Sequence, residues 1–189
     1  MTQQPCKFGS FATNGTEEPF HYSDTWARDN TGNSPRLLIA PSEGHISLLE
    51  NLMEAMRGPF GILYILVVSR GKVAPGRYQC PNPVSKRDAV GFLQSFRDFL
   101  EHDGRANVWI GASDNSSLIV YDRHDVLYAY GPLDEFGRML RVKGYAETAR
   151  ITFPDPHTHY YHDEFDVVEG RLLKYWEWTH FPLQPGDES

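Results

Sequence analysis

The run Pro154-Asp155-Pro156-His157-Thr158-His159-Tyr160-Tyr161-His162-Asp163 holds three of the chain's eight histidines. On a strand, side chains alternate with period two, so His157 and His159 share a face and can chelate one divalent ion. His162 or Asp163 closes the ligand set after a bend. Three protein ligands with an open position lower the pKa of a bound water and permit hydrolysis, with zinc, manganese or iron as the ion. Asp155, Glu164 and Asp166 stand close enough in sequence to orient the rings or act as base. The spacing matches no diagnostic pattern such as H-E-x-x-H, so an exposed loop with no cofactor is the reading preferred over the metal site.

Three other groups carry chemistry. Asp122-Arg123-His124-Asp125 reads as a hairpin tip in which Asp122 bonds the turn backbone while Arg123 and His124 project for recognition. Arg70, Lys72 and Arg77 surround Gly71 and Gly76, a candidate anion site without the G-x-x-x-x-G-K-[ST] pattern of nucleotide loops. Tyr160, Tyr161, Tyr175, Trp176 and Trp178 form an aromatic group, with Trp176 and Trp178 on one face of an expected strand. Such residues anchor a protein partner or pack into a core.

The elements that must position these residues read as an α+β domain, a mostly antiparallel sheet packed by about three helices. Ile46, Leu49, Leu52 or Met53, and Met56 recur at helical spacing and predict a helix over 42–57, opened by Ser42 and stopped by Gly58-Pro59. Phe60 to Ser69 is apolar on both faces, as a central strand covered on both sides would be. Gly71 to Pro83 reads as a long loop. Ser85 caps a helix over 85–102, with Ala89, Phe92, Leu93, Phe96, Phe99 and Leu100 as one stripe. Three short strands over 107–130 form a meander, and Pro132 opens a third helix over 132–142. Tyr145 to Phe153 reads as a strand, and residues 165–178 as a C-terminal hairpin around Glu169-Gly170, with helix as the alternative for 171–178. Residues 1–35 read as an extended arm whose rings dock on the single domain 36–189, with Met1 to Gln4 loose.

The chain has 189 residues, 40% of them hydrophobic, enough for one substantial core and too many for a disordered tail. The longest apolar run is too short to span a bilayer, and the start lacks the basic and apolar stretches of a secretory signal, so a cytoplasmic location is expected. The net charge of −7 argues against nucleic acid and anionic membrane as partners. That charge is unevenly placed. Residues 1–56 carry −4, residues 57–143 carry +3 and residues 144–189 carry −6. Positions 55–87 contain six basic residues and no acid. These bases are expected to pair with the acidic flanks.

In architecture alone, a small, acidic, aromatic-rich α+β chain without a catalytic signature resembles the toxin-neutralising immunity proteins of bacteria. That resemblance implies a non-enzymatic module binding a protein partner through the acidic, aromatic region from Asp155 to Trp178 and the tip at Arg123 and His124. The alternative is a metal-dependent hydrolase using His157, His159 and His162.

Overall fold

Alternation of buried and half-buried residues along the apolar segments builds two sheets in the computed structural model, which describes residues 5–30 and 34–187. Met1 to Gln4 lie outside the described residues. The first elements are β1 (Phe8–Phe11), β2 (Glu17–Pro19), β3 (Thr25–Asp29), β4 (Arg36–Ala40), α1 (His45–Leu52), β5 (Phe60–Leu66) and β6 (Gly76–Gln79). They are followed by α2 (Lys86–Ser95), α3 (Arg97–His102), β7 (Ala106–Ala112), β8 (Leu118–Tyr121), β9 (Leu127–Tyr130) and α4 (Leu133–Val142). The C-terminal part adds β10 (Ala146–Thr148), β11 (His157–His159), α5 (Asp166–Leu172) and β12 (Thr179–Phe181).

Nine strands form one sheet in the order β10-β3-β4-β9-β8-β7-β5-β6-β12, in which β10 against β3 is the parallel pair. β11, β1 and β2 form a second, antiparallel sheet with β1 in the middle. The α+β architecture is therefore as the sequence implies, with five helices among the described residues against the three or so expected.

One face of the large sheet is the core. Ile62 and Tyr64 of β5, Val108 and Ile110 of β7, Ile119 and Tyr121 of β8, and Leu127 and Ala129 of β9 join helix residues such as Ile46, Leu49, Phe92, Phe99, Phe136 and Leu140 in one buried cluster. The residues between them on the strands, Trp109, Val120 and Tyr128, necessarily face the other way and floor a cavity there.

Several expected elements are corrected. The helix over 42–57 starts at His45, because Gly44 adopts a left-handed φ of 67° and the Ile46 amide is capped by Glu101 Oε1 at 2.7 Å rather than by Ser42. It ends in a 3-10 turn, Met53–Ala55. The stripe over 85–102 is broken at Phe96 into α2 and α3, yet Phe92, Phe96, Phe99 and Leu100 are all buried as expected. The long loop 71–83 contains β6, and the strand expected over 145–153 contracts to β10. The extended segment 1–35 does more than dock, since β3 is an interior strand and Trp26 is fully buried.

The C-terminal hairpin is replaced by a 3-10 turn and α5, with β12 following. Arg105, with no exposed surface, bonds Asp103 and also Asp166 and Glu169. Two residues three apart share a face on a helix and point oppositely on a strand, so joint capture of Asp166 and Glu169 by one guanidinium selects helix over the β propensity of Val167-Val168.

Candidate metal centre

β11 pairs with β1 so that Phe8 stands opposite His159 and Ser10 opposite His157. The period-two expectation holds: both imidazoles turn to one side, with ring centroids 5.5 Å apart and each 5.5 Å from the Phe8 ring. The third imidazole of the group is His124, from the turn between β8 and β9. One nitrogen of each of His124, His157 and His159 lies within 4.8 Å of the others.

The turn that presents His124 is built by Asp122. Its Oδ1 accepts from the backbone amides of His124 at 3.0 Å and Val126 at 3.2 Å. Its Oδ2 accepts from His124 Nδ1 at 3.0 Å. An acceptor on Nδ1 fixes the tautomer and leaves Nε2 with its lone pair free for an ion, the arrangement that orients metal-binding histidines. His157 is held the same way, its Nδ1 at 3.2 Å from the carbonyl of Pro154. His159 has a buried Nδ1 with no hydrogen-bond partner among the described residues. Burial first, and then the charges of Arg123, His124 and His157, push the His159 imidazole down to about 3. It is therefore neutral at pH 7, the form a metal requires.

The group opens beside a cavity of about 490 Å³ on the face of the sheet opposite the core, to which His124 and His157 both contribute. Trp109, Val120, Tyr128, Tyr130 and Phe153 give it apolar and aromatic walls. Its charged residues are matched within the protein. Arg36 pairs with Asp29 at 2.7 Å and lies over the Tyr128 ring, and Asp187 takes two hydrogen bonds from Arg77 at 2.9 and 2.8 Å.

The expected ligands His162 and Asp163 lie elsewhere. His162 contacts the Cys6 carbonyl through Nε2 at 2.8 Å and donates its amide to Asp103. Asp163 is exposed and pairs with Arg70. The chain bends at Tyr160, whose carbonyl accepts from Gly104, and this carries His162 away from the group.

Other candidate residues are engaged internally. Arg123 does not project but is buried, donating through Nη2 to Tyr161 at 3.1 Å. Tyr160 covers Gly9, where an added Cβ would lie 2.5 Å from its ring. Trp176 and Trp178 are not on a strand; they pack on Phe92 at centroid distances of 4.8 and 5.7 Å. Arg70 pairs with Asp163 and Asp166, and Arg77 with Asp187, while Lys72 is exposed in the loop. Of the six bases at positions 55–87, Arg70 and Arg77 thus pair with the acidic C-terminal region and Lys86 with Glu54. His124 is the ligand candidate that sequence reasoning did not assign to a metal, although an Asp two residues before a His in a tight turn was the available signal. No family model, curated protein or solved structure matches this chain.

Proposed function

We propose that the protein is a metal-dependent hydrolase with His124, His157 and His159 as the ligands of one divalent ion and the adjoining cavity as its substrate pocket. One observation carries this reading. Three imidazoles converge from two separate segments, two of them with Nδ1 already held by Asp122 and the Pro154 carbonyl, and the third with a buried, unpartnered nitrogen. Burying polar nitrogens without partners is costly, and an ion between the rings would satisfy them.

Three neutral ligands leave a dication's charge undiminished. An ion held there by His124, His157 and His159 would supply Lewis acidity toward a water or a substrate oxygen, with no charged protein ligand to weaken it. The aromatic walls suit a substrate with a flat or apolar body.

The test is elemental analysis after incubation with zinc and dialysis, alongside hydrolysis of a nitrophenyl ester. Wild type and His162→Ala should retain one zinc per chain, and His157→Ala/His159→Ala should retain none, with hydrolysis following the zinc content. Wild-type protein that emerges free of zinc refutes the proposal. A second reading, attachment of a protein partner through the acidic C-terminal region, draws on the exposure of Val167, Tyr175 and Phe181. A partner that co-purifies and is released by salt supports it, and a chain that elutes alone at low salt refutes it.

A further inference from the structure

Asp125 directly follows His124, and its φ of 65° lies in the left-handed region that residues other than glycine enter at a cost. Asp and Asn tolerate that region better than most side chains, and a residue stays in it when its surroundings hold it there. Three side chains do so. Tyr121 donates its hydroxyl to Asp125 Oδ1 at 2.6 Å. His45 Nε2 stands 3.2 Å from the Asp125 carbonyl oxygen and 3.3 Å from Oδ1. Both of those oxygens are acceptors, so Nε2 carries the ring proton and donates to them. Lys7 supplies a counter-charge to Oδ1 at 3.9 Å. The His45 and Tyr121 rings are buried and stacked on each other, with centroids 5.1 Å apart and planes 19° from parallel. His45 opens α1 and Tyr121 ends β8, so the clamp on Asp125 is built from two regular elements of the core.

Asp122 and Asp125 divide the work of the turn. Asp122 bonds within it, to the amides of His124 and Val126 and to the His124 ring, and so fixes its shape and the tautomer of the ring. Those bonds travel with the turn and cannot decide where it stands. Its place is set from outside, on one side of His124 by Asn107 Oδ1, which accepts from the Arg123 amide at 2.9 Å, and on the other by Asp125. His157 and His159 are placed separately, through the pairing of β11 with β1. A zinc–nitrogen bond of about 2.0–2.1 Å needs its ligands held to within about 0.5 Å, so the position of the turn against β11 decides whether three rings meet at one ion. Resting on the metal reading above, we infer that Asp125 is a positioning residue of the centre, and that its bonds to His45 and Tyr121 set where His124 stands against His157 and His159.

The experiment measures, on the full chain, the zinc Kd by chelator competition and the urea midpoint without metal. Asp125→Asn and Asp125→Gly both take the counter-charge from Lys7, and both new residues accept a positive φ. They differ in the side-chain oxygen, which Asn keeps for the Tyr121 hydroxyl and Gly lacks. Asp125→Asn should therefore bind zinc within about threefold of wild type, and Asp125→Gly about tenfold more weakly. His45→Gln retains a donor and should follow Asp125→Asn, whereas His45→Leu has none and should follow Asp125→Gly. With cobalt(II) in place of zinc, the visible absorption of Asp125→Gly and His45→Leu should fall as solvent replaces His124 at the ion. Trp176→Ala, a change elsewhere in the core, gives the effect of lost stability alone. Should Asp125→Gly not fold, the His45 pair decides. Equal zinc affinity within each pair, or losses of affinity that track the urea midpoint across all the variants, overturns this inference and leaves the metal centre standing. Wild type that takes up neither zinc nor cobalt overturns both.

Discussion

Asp122→Asn separates a carboxylate that tunes a metal ligand from one that merely shapes a turn. Asp122 is buried and its two oxygens do different work, Oδ1 accepting from two turn amides and Oδ2 from His124 Nδ1. An ionised carboxylate accepts at both oxygens, whereas an amide accepts at one end and donates at the other. If the Asn oxygen keeps the turn amides, its NH2 faces His124 Nδ1 and drives the ring proton to Nε2, the nitrogen needed for the ion. If it turns over, two amide donors face an NH2 and the turn opens. Either way the site is impaired. Loss of such an outer partner weakens metal binding by about 10–100-fold, or about 1.4–2.7 kcal/mol. Zinc held 100-fold above the wild-type Kd stabilises the fold by about 2.7 kcal/mol, and a site 100-fold weaker gains about 0.4 kcal/mol from the same zinc. At the usual conversion for a chain of this size, the zinc-induced rise in Tm should fall from about 5–11 °C to about 1 °C. The assay is a thermal melt of each protein with and without zinc, with a chelator competition to give the Kd. Asp122→Asn that gains as much Tm from zinc as wild type would refute the assignment of His124 as a ligand oriented by this carboxylate.

Further outcomes follow from other parts of the fold. Arg105→Met strands the buried carboxylates of Asp103 and Glu169, and should cost about 3–5 kcal/mol in urea unfolding. Trp176→Ala removes a ring stacked on Phe92 and should cost about 2 kcal/mol without altering zinc affinity, whereas a Trp serving only a partner would leave stability unchanged. Burial lowers the pKa of His45, and His159 is pushed down to about 3, so both are neutral in the folded metal-free protein where the unfolded chain would be protonated. Stability from these two groups is therefore complete above pH of about 6.5 and is lost as pH falls toward the folded pKa values. The urea midpoint of the metal-free protein should drop between pH 7 and pH 5, and His45→Gln should flatten that drop.

What was legible in the sequence divides along local and non-local lines. The meander, the interior strand beginning at Phe60 and the stripe from Ala89 to Leu100 are visible because each is written in consecutive apolar spacing. The shared face of His157 and His159 is visible for the same reason, since period two needs only a strand. The third imidazole was not, because His124 reaches the others through tertiary packing that no local spacing records. The helical state of α5 was hidden likewise, its decisive partner being Arg105 at the start of another strand. Charge gave a middle case: the sign of the C-terminal region announced pairing with the basic middle, but which pairs form is geometry.

The extended N-terminal segment is where these threads meet. β1 lies between β2 and β11, and Phe8, fully buried, packs its ring against His124, His157 and His159 at centroid distances of 5.5 Å each. The next residue back, Lys7, sends its carbonyl to the Tyr160 amide and its ammonium to the Leu100 carbonyl, over the ring of Tyr121. A single short segment thus fixes β11 by backbone pairing, fixes the end of α3 by its lysine, and fills the space behind the three imidazoles with an apolar ring. An apolar backing to a metal ligand set excludes water on that side and leaves the cavity side as the open one. The residues expected to carry a partner and the residues expected to carry a metal are joined by the same packing. Residues expected at a surface are engaged here too: the Tyr160 ring covers Gly9, and Tyr161 accepts from the buried Arg123.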